Sequence, residues 1–344
     1  MSKKNSNVIL KDTFKNREDF SSLYLLFKKK IHLLKNKSFL IAVSGGPDSL
    51  ALTALAKTYS KEHKCKIFYV LIDHNLRKNS SKEAQSVKKL LKKNQISLYI
   101  LKNKKKITGN IQSEARNIRY DLLINFCKKK RIKNILTAHN LEDQVETFFI
   151  RLSRGSGIQG LSSMKQNNKL NGNISLLRPL LEVKKSKLRK MSKAFFGKFY
   201  RDPTNKNTKY LRTRIRNLKN SIEKSGISYD QIFKSITNLA SSRDTLEFYF
   251  NNIYKDLITI KKGKILIDYK KFKKLNQELK MRVLRKSITD FSQSYYSPRS
   301  KKIINLIVQI EAQKDAKLTL GGCLILKEKT RIIIMSENKS KVFY

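Results

Sequence analysis

Cysteine, proline and acidic residues are all scarce in this chain. Three cysteines, Cys65, Cys127 and Cys323, stand far apart and form no CxxC pair. That spacing excludes a zinc ribbon, argues against a disulfide scaffold, and makes a reducing cytoplasm the expected home. No run of eighteen apolar residues occurs, and no apolar h-region follows Met1-Ser2-Lys3-Lys4-Asn5. Neither a secreted nor a membrane-spanning protein is therefore expected. Asp and Glu number 26 against 76 Lys and Arg, a net charge of +50, so the surface attracts polyanions. Lysine is used heavily throughout, however, and charge alone is weak evidence for RNA. With 344 residues, 40% of them hydrophobic, the chain has material for two or three domains with real cores.

What is present begins with Ser44-Gly45-Gly46-Pro47-Asp48-Ser49, directly after the apolar run Phe39-Leu40-Ile41-Ala42-Val43. A buried-strand signal here runs into a phosphate-cradle signal. Gly45 and Gly46 let backbone approach a ligand, Pro47 suits the first turn of a helix, and the N–H groups of that turn face whatever lies above the strand. Ser44 and Ser49 add hydroxyls, and Asp48 offers a carboxylate to a Mg²⁺ ion. The hexapeptide is neither a Walker A loop nor the fingerprint of a dinucleotide fold. It points to a bound nucleotide.

Apolar runs at 39–43, 67–72, 97–101 and 134–138 alternate with helical periodicity near 47–59, 81–93, 112–130 and 141–153. This rhythm predicts an α/β fold, a doubly wound parallel sheet with its ligand at the carboxyl ends of the strands. The glycine loop, Asp73-His74 and Thr137-Ala138-His139 all fall at such ends. Before residue 38 an amphipathic helix is expected, with Leu23, Leu25, Leu26, Phe27, Ile31 and Leu34 on or near its apolar side. Helical pattern continues from about 213 to 256, followed by a hairpin of Ile258–Ile260 with Ile265–Ile267. Helices near 270–290 and 299–313 then precede a small β unit over 318–326 and 331–334.

Further stretches follow the loop in series: Asp73-His74-Asn75-Leu76-Arg77, Glu114-Ala115-Arg116 with Arg119-Tyr120, and Thr137-Ala138-His139 leading to Asp143-Gln144 and Glu146-Thr147. After them come Arg151-Leu152, Arg154-Gly155-Ser156-Gly157, Gly160-Leu161, Arg178-Pro179-Leu180-Leu181 and Asp202-Pro203-Thr204-Asn205. The series ends on Tyr210, Arg212, Arg214, Ile215 and Arg216. The loop resembles that of the PP-loop ATP pyrophosphatases. The whole set, over roughly 38–216, resembles the tRNA(Ile)-lysidine synthases within that group. Arginine use agrees: of 18 arginines, nine lie in these stretches, where a planar fork gripping phosphate is not replaced by lysine. Glu142 stands where the family commonly has aspartate, Asn207 also replaces an aspartate, and Thr213 replaces an asparagine.

The resemblance implies an enzyme that uses ATP and Mg²⁺ to adenylate the carbonyl oxygen on carbon 2 of the wobble cytidine in a tRNA(Ile) with a CAU anticodon. Free L-lysine then displaces AMP. It implies ATP contacts from Ser44, Gly45, Gly46, Pro47, Asp48, Ser49, Asp73, His74 and Arg116, with Asp48 beside the metal. Asp143 and Glu146 would bind or neutralise the lysine ammonium, and His139 would be a base or a phosphate contact. Arg151, Arg154, Arg178, Arg212, Arg214 and Arg216 would meet the tRNA. From 181 to 220, fourteen Lys or Arg face two acids, Glu182 and Asp202, which favours a phosphate-tracking surface.

Three parts are expected: a PP-loop catalytic domain over 1–215, a mainly helical tRNA-binding domain over 216–297, and a small, abbreviated α+β unit over 298–344. A homodimer is left open. Three rival readings fit less of the chain. A tRNA thiolase of the same fold would need cysteines for a cluster or sulfur relay, and an amide-forming NAD or GMP synthetase would not need the basic tail. A non-catalytic RNA binder would not need the loop together with Asp48, Asp143 and Glu146.

Overall fold

The computed structural model describes residues 18–32, 34, 38–63, 65–76, 79–104, 109, 111–170, 173–200, 207–261, 263–292 and 297–337. Arg77 and Asp202-Pro203-Thr204-Asn205 lie outside the described residues. The chain divides into two compact units, Met1–Ala240 and Ser241–Tyr344.

The first unit opens on α1 (Glu18–His32), then alternates β1 (Ser38–Val43), α2 (Pro47–Glu62), β2 (Lys66–Asp73), α3 (Ser80–Lys93), β3 (Leu98–Lys102), α4 (Ile111–Lys130) and β4 (Asn134–Leu136). Next come α5 (Leu141–Leu152), α6 (Ile158–Leu161), β5 (Asn167–Lys169), β6 (Ser175–Leu177) and α7 (Lys185–Phe196). The six strands form one sheet in the order β3-β2-β1-β4-β6-β5. Its pairs are parallel except for β5 against β6. Side chains of β1 alternate between two cores: Phe39, Ile41 and Val43 meet α1, α2, α3 and α7, and Leu40 meets α4. A strand buried on both faces must be apolar throughout, hence the unbroken run in its sequence.

In α1 the buried side chains are Phe20, Leu23, Tyr24, Phe27 and Ile31, a helical i, i+3, i+4, i+7 spacing. Leu25 is 62% exposed, which corrects its expected place on the apolar side, because it falls between the positions of that stripe. The helical stretch after 210 is three helices, α8 (Leu211–Asn217), α9 (Lys219–Lys224) and α10 (Tyr229–Leu257). Gly226, at φ +88°, supplies the left-handed turn that separates the last two.

The second unit takes in the end of α10. It continues with β7 (Ile258–Lys261), β8 (Lys264–Asp268), α11 (Tyr269–Lys273), α12 (Gln277–Ser292), α13 (Ser300–Ala312), β9 (Ala316–Leu320), β10 (Cys323–Lys327) and β11 (Arg331–Ser336). The hairpin and the tail strands, read apart in the sequence, join in one antiparallel sheet, order β7-β8-β11-β10-β9, with Ile265 opposite Ile334. One core of Phe250, Tyr254, Val283, Ile288, Ile303, Ile325 and Ile334 holds it together. Among the described residues no helix is long and apolar enough to cross a membrane.

Candidate active site

From β1 the sheet grows through β2 and β3 to one side, and from β4 through β6 and β5 to the other. The β1/β4 boundary is therefore the topological switch point, where connections diverge and open a crevice at the carboxyl ends of the strands. The loop after β1 and Thr137-Ala138-His139 after β4 flank that crevice.

Gly45 sits at φ +81°, and a Cβ there would come within 2.5 Å of Val87 on α3, so the position needs glycine on both counts. Gly46 caps α2, and Pro47 stands at the start of the helix. The two serine hydroxyls brace the loop. Ser44 N–H donates to Ser49 Oγ at 3.1 Å, Ser49 Oγ donates to the Gly46 carbonyl at 3.0 Å, and the hydroxyls lie 3.1 Å apart. Tyr200 N–H, beyond α7, donates to the Gly45 carbonyl at 2.9 Å.

Asp48, in the first turn of α2, differs from its neighbours. Its Oδ1 is buried with no hydrogen-bond partner. Burial, with Asp143 and Glu142 nearby, pushes the carboxyl up to about 6 against the opposing charges of Lys185 and Arg189. A buried carboxylate oxygen lacking a donor is a costly arrangement in a folded chain. It suits a cation that arrives with a ligand.

At the end of β2, Asp73 serves the turn. Its carboxylate accepts Asn75 N–H at 3.0 Å and Ser81 Oγ at 2.5 Å. Burial raises its pKa, and these hydrogen bonds overcome that effect and hold it below the usual range. His74 has a buried Nδ1 without a partner, and its Nε2 lies 3.4 Å from Arg119 Nε. Burial and the Arg119 charge bring it down to about 4, so it is neutral at physiological pH.

At the end of β4, Thr137 Oγ1 holds His139 through Nδ1 at 2.9 Å. Burial, then Arg178, Arg212, Arg116 and Arg119, press His139 down to about 3. His139 is therefore a neutral imidazole, able to exchange a hydrogen bond with a substrate group or a phosphate. The charges of the same four arginines make the surroundings of His139 electropositive.

Asn140 and Asp143 form a reciprocal capping box at the start of α5: Asp143 N–H donates to Asn140 Oδ1 at 3.0 Å, and Asn140 N–H donates to Asp143 Oδ2 at 3.2 Å. The second oxygen of Asp143 has no hydrogen-bond partner among the described residues. Glu146 is in a different situation one turn later. It is 2% exposed and accepts both Nε and Nη2 of Arg216, at 2.7 and 2.8 Å, with Arg212 Nε at 3.3 Å. The two carboxylates that share a helix face in sequence thus divide: one is committed to arginine, the other is half free.

The six arginines expected to meet tRNA also divide. Arg216 is spent on Glu146. Arg151 Nη1 donates to the Gly160 and Ser163 carbonyls at 2.6 and 2.8 Å, tying down the α5–α6 turn. Arg178 is 5% exposed and donates to the Lys165 carbonyl at 2.7 Å. Arg212 is partly exposed and also reaches Thr147 Oγ1 at 3.4 Å. Arg154 and Arg214 are exposed. Arg116, also exposed, stacks over Tyr120 with 5.1 Å to the ring centroid. Sequence reasoning did not single out Lys185 and Arg189, the cations opposite Asp48, because they sit in a lysine-rich stretch. Their spacing of four residues was the available signal.

A family model described as a PP-loop domain matches residues 18–221. The tRNA(Ile)-lysidine synthase of Wolbachia pipientis wMel is 35% identical over 324 residues, which cover 92% of this chain and 75% of the relative. That of Wolbachia sp. subsp. Brugia malayi is 34% identical over 308 residues, covering 88% and 71%. The solved structure of the U34-tRNA thiolase NcsA from Methanococcus maripaludis, with its [4Fe-4S] cluster, aligns with a TM-score of 0.55 at 17% identity. It covers 64% of this chain and 79% of that one, a likeness of fold alone. The nucleotide loop at the switch point thus comes with sequence identity running well past it into the second unit, and the chain belongs to the tRNA(Ile)-lysidine synthase family.

Proposed function

We infer that this chain consumes ATP to join free L-lysine to carbon 2 of the wobble cytidine in a CAU-anticodon tRNA(Ile), making lysidine with release of AMP and pyrophosphate. The observation that supports this reading is the buried Oδ1 of Asp48, without a hydrogen-bond partner, in the first turn of the helix that follows the glycine loop. In the first step the cytidine O2 attacks the α-phosphorus and the bond to the bridging β-phosphate oxygen breaks. In the second the lysine ε-ammonium gives a proton to Asp143, the freed amine attacks carbon 2, and the C2–O bond breaks with its electron pair leaving on the AMP oxygen, a further amine proton passing to solvent.

Backbone N–H groups of the first turn of α2 bind the phosphate oxygens, and the serine pair keeps that turn in shape. Asp48 fits a Mg²⁺ ion. Among the described residues no group of three or more His, Cys, Asp or Glu is placed to hold a metal, which suits an ion shared between one carboxylate and substrate phosphates. Such an ion, when bound, neutralises phosphate charge and the charge that develops on the leaving group. His139, held neutral by burial and nearby arginines, orients substrate by hydrogen bonding. Asp143, with its free oxygen, receives the lysine ammonium; Glu146 fixes Arg216 and Arg212. Arg154 and Arg214 contact tRNA phosphate. Cys127 and Cys323 pack in separate hydrophobic cores, a placement that does not serve sulfur transfer.

The test uses ATP labelled at the α-phosphate, with tRNA(Ile) transcript and no lysine. Label is expected to appear on the RNA and to be released as AMP when lysine is added. AMP released without labelled RNA, or a label indifferent to lysine, would overturn the two-step reading.

A further inference from the structure

Cleavage between the α and β phosphates divides one ligand into two anions, and the crevice carries two separate sets of cations. One set, Arg116, Arg119, Arg178 and Arg212, bears electrostatically on His139 at the end of β4. The other is on α7, which packs against α2 through Leu188 and Met191. Here Lys185 and Arg189 stand one turn apart on the helix, and the positive charge of both acts on Asp48. The start of α7 is joined to the start of α5 by a hydrogen bond from Lys185 N–H to Glu142 Oε2 at 2.9 Å. The segment after α7 closes on the glycine loop through Tyr200.

Neighbouring cations are used otherwise. Lys184 pairs with Asp230, and Lys219 lies 3.7 Å from Glu142. Neither Lys185 nor Arg189 has a side-chain ion pair among the described residues. No acid stands in the first turn of α7, and its N-cap residue makes no side-chain cap. Two like charges at i, i+4 repel, and the positive end of a helix adds to that repulsion. Glu142 and Asp143 add negative charge that acts on Asp48. A triphosphate seated there needs fixed positive charge at its far end.

We propose that Lys185 and Arg189 hold the β- and γ-phosphates of ATP and receive the leaving pyrophosphate, while the arginines around His139 keep the AMP half and the RNA. This rests on the ligase reading above and adds which residues serve which product. The bond from the α-phosphorus to the bridging oxygen breaks with its electron pair moving to pyrophosphate. Two cations beside that oxygen stabilise the charge as it forms.

The experiment uses the full-length chain with Mg²⁺ and measures pyrophosphate and AMP separately as inhibitors of ATP consumption. In the Lys185→Ala/Arg189→Ala variant, pyrophosphate is expected to weaken by at least about tenfold while AMP stays within roughly twofold of wild type. The charge-keeping Lys185→Arg/Arg189→Lys variant should hold pyrophosphate near the wild-type level. The single Arg189→Ala change, on an exposed side chain, gives a second reading if the double variant folds poorly. Equal loss of AMP and pyrophosphate affinity, or unchanged pyrophosphate affinity in an active enzyme, would overturn the assignment. A wild-type chain that consumes no ATP with tRNA would instead overturn the ligase reading and this inference with it.

Discussion

Asp48→Asn is expected to cut ATP-dependent activity by at least roughly a hundredfold while leaving tRNA affinity nearly intact, and to make the ligand-free protein more stable. The two effects have one origin. The carboxyl is raised from 3.8 to about 6 by burial and by Asp143 and Glu142, so the folded state prefers it protonated. Below pH 3.8 it is neutral in both states and no penalty exists. As pH rises through about 6 the folded protein must carry a charge that the unfolded chain bears freely, and the cost then stays constant. A shift of this size corresponds to at most about 3 kcal/mol. Asparagine keeps the shape and drops the charge. Thermal unfolding without nucleotide should therefore show the variant several degrees above wild type at pH 7.5 and level with it near pH 4. A variant no more stable at pH 7.5, or one that turns over normally, would remove Asp48 from the nucleotide site.

Glu146→Ala should do the opposite, destabilising the first unit by about 3 kcal/mol. Glu146 is 2% exposed and bound through two hydrogen bonds to Arg216, so its removal strands a half-buried guanidinium. Arg216→Ala strands the carboxylate, with Arg212 at 3.3 Å as a partial substitute. The double variant should lose less than the sum of the two, since neither charge is then left alone. Denaturant unfolding of the four proteins checks this. Additive losses would show that the pair is not coupled, and would free Glu146 to meet the lysine ammonium.

The central strands were legible because they are largely buried and therefore apolar: Phe39–Val43 and 67–72 are continuous runs, each followed by a polar cluster that marks the crevice. Strand β4 gave a weaker signal, with only Ile135 and Leu136 between Asn134 and Thr137. The glycine loop was legible for a similar reason, since Gly45 answers a backbone demand that no other residue meets. Partners were not legible. Glu146 and Arg216 lie seventy residues apart, and nothing local tells a buried pair from two surface charges. Helix α7 was hidden by composition: Leu188, Met191 and Phe196 form its buried stripe, but lysines around them made the stretch read as one basic surface. Strands β5 and β6 have three residues each, too few to show a period. Leu25 failed in the other direction, an apolar residue in an amphipathic helix that faces water.

The most direct measurement is incorporation of labelled lysine, with ATP and Mg²⁺, into two transcripts that share the CAU anticodon, tRNA(Ile) and tRNA(Met). Label on the isoleucine transcript alone is the expected result, giving the reaction and its discrimination together. Label on neither transcript, with AMP still released in the presence of some other acceptor, would leave the fold and the glycine loop in place and contradict lysidine synthesis.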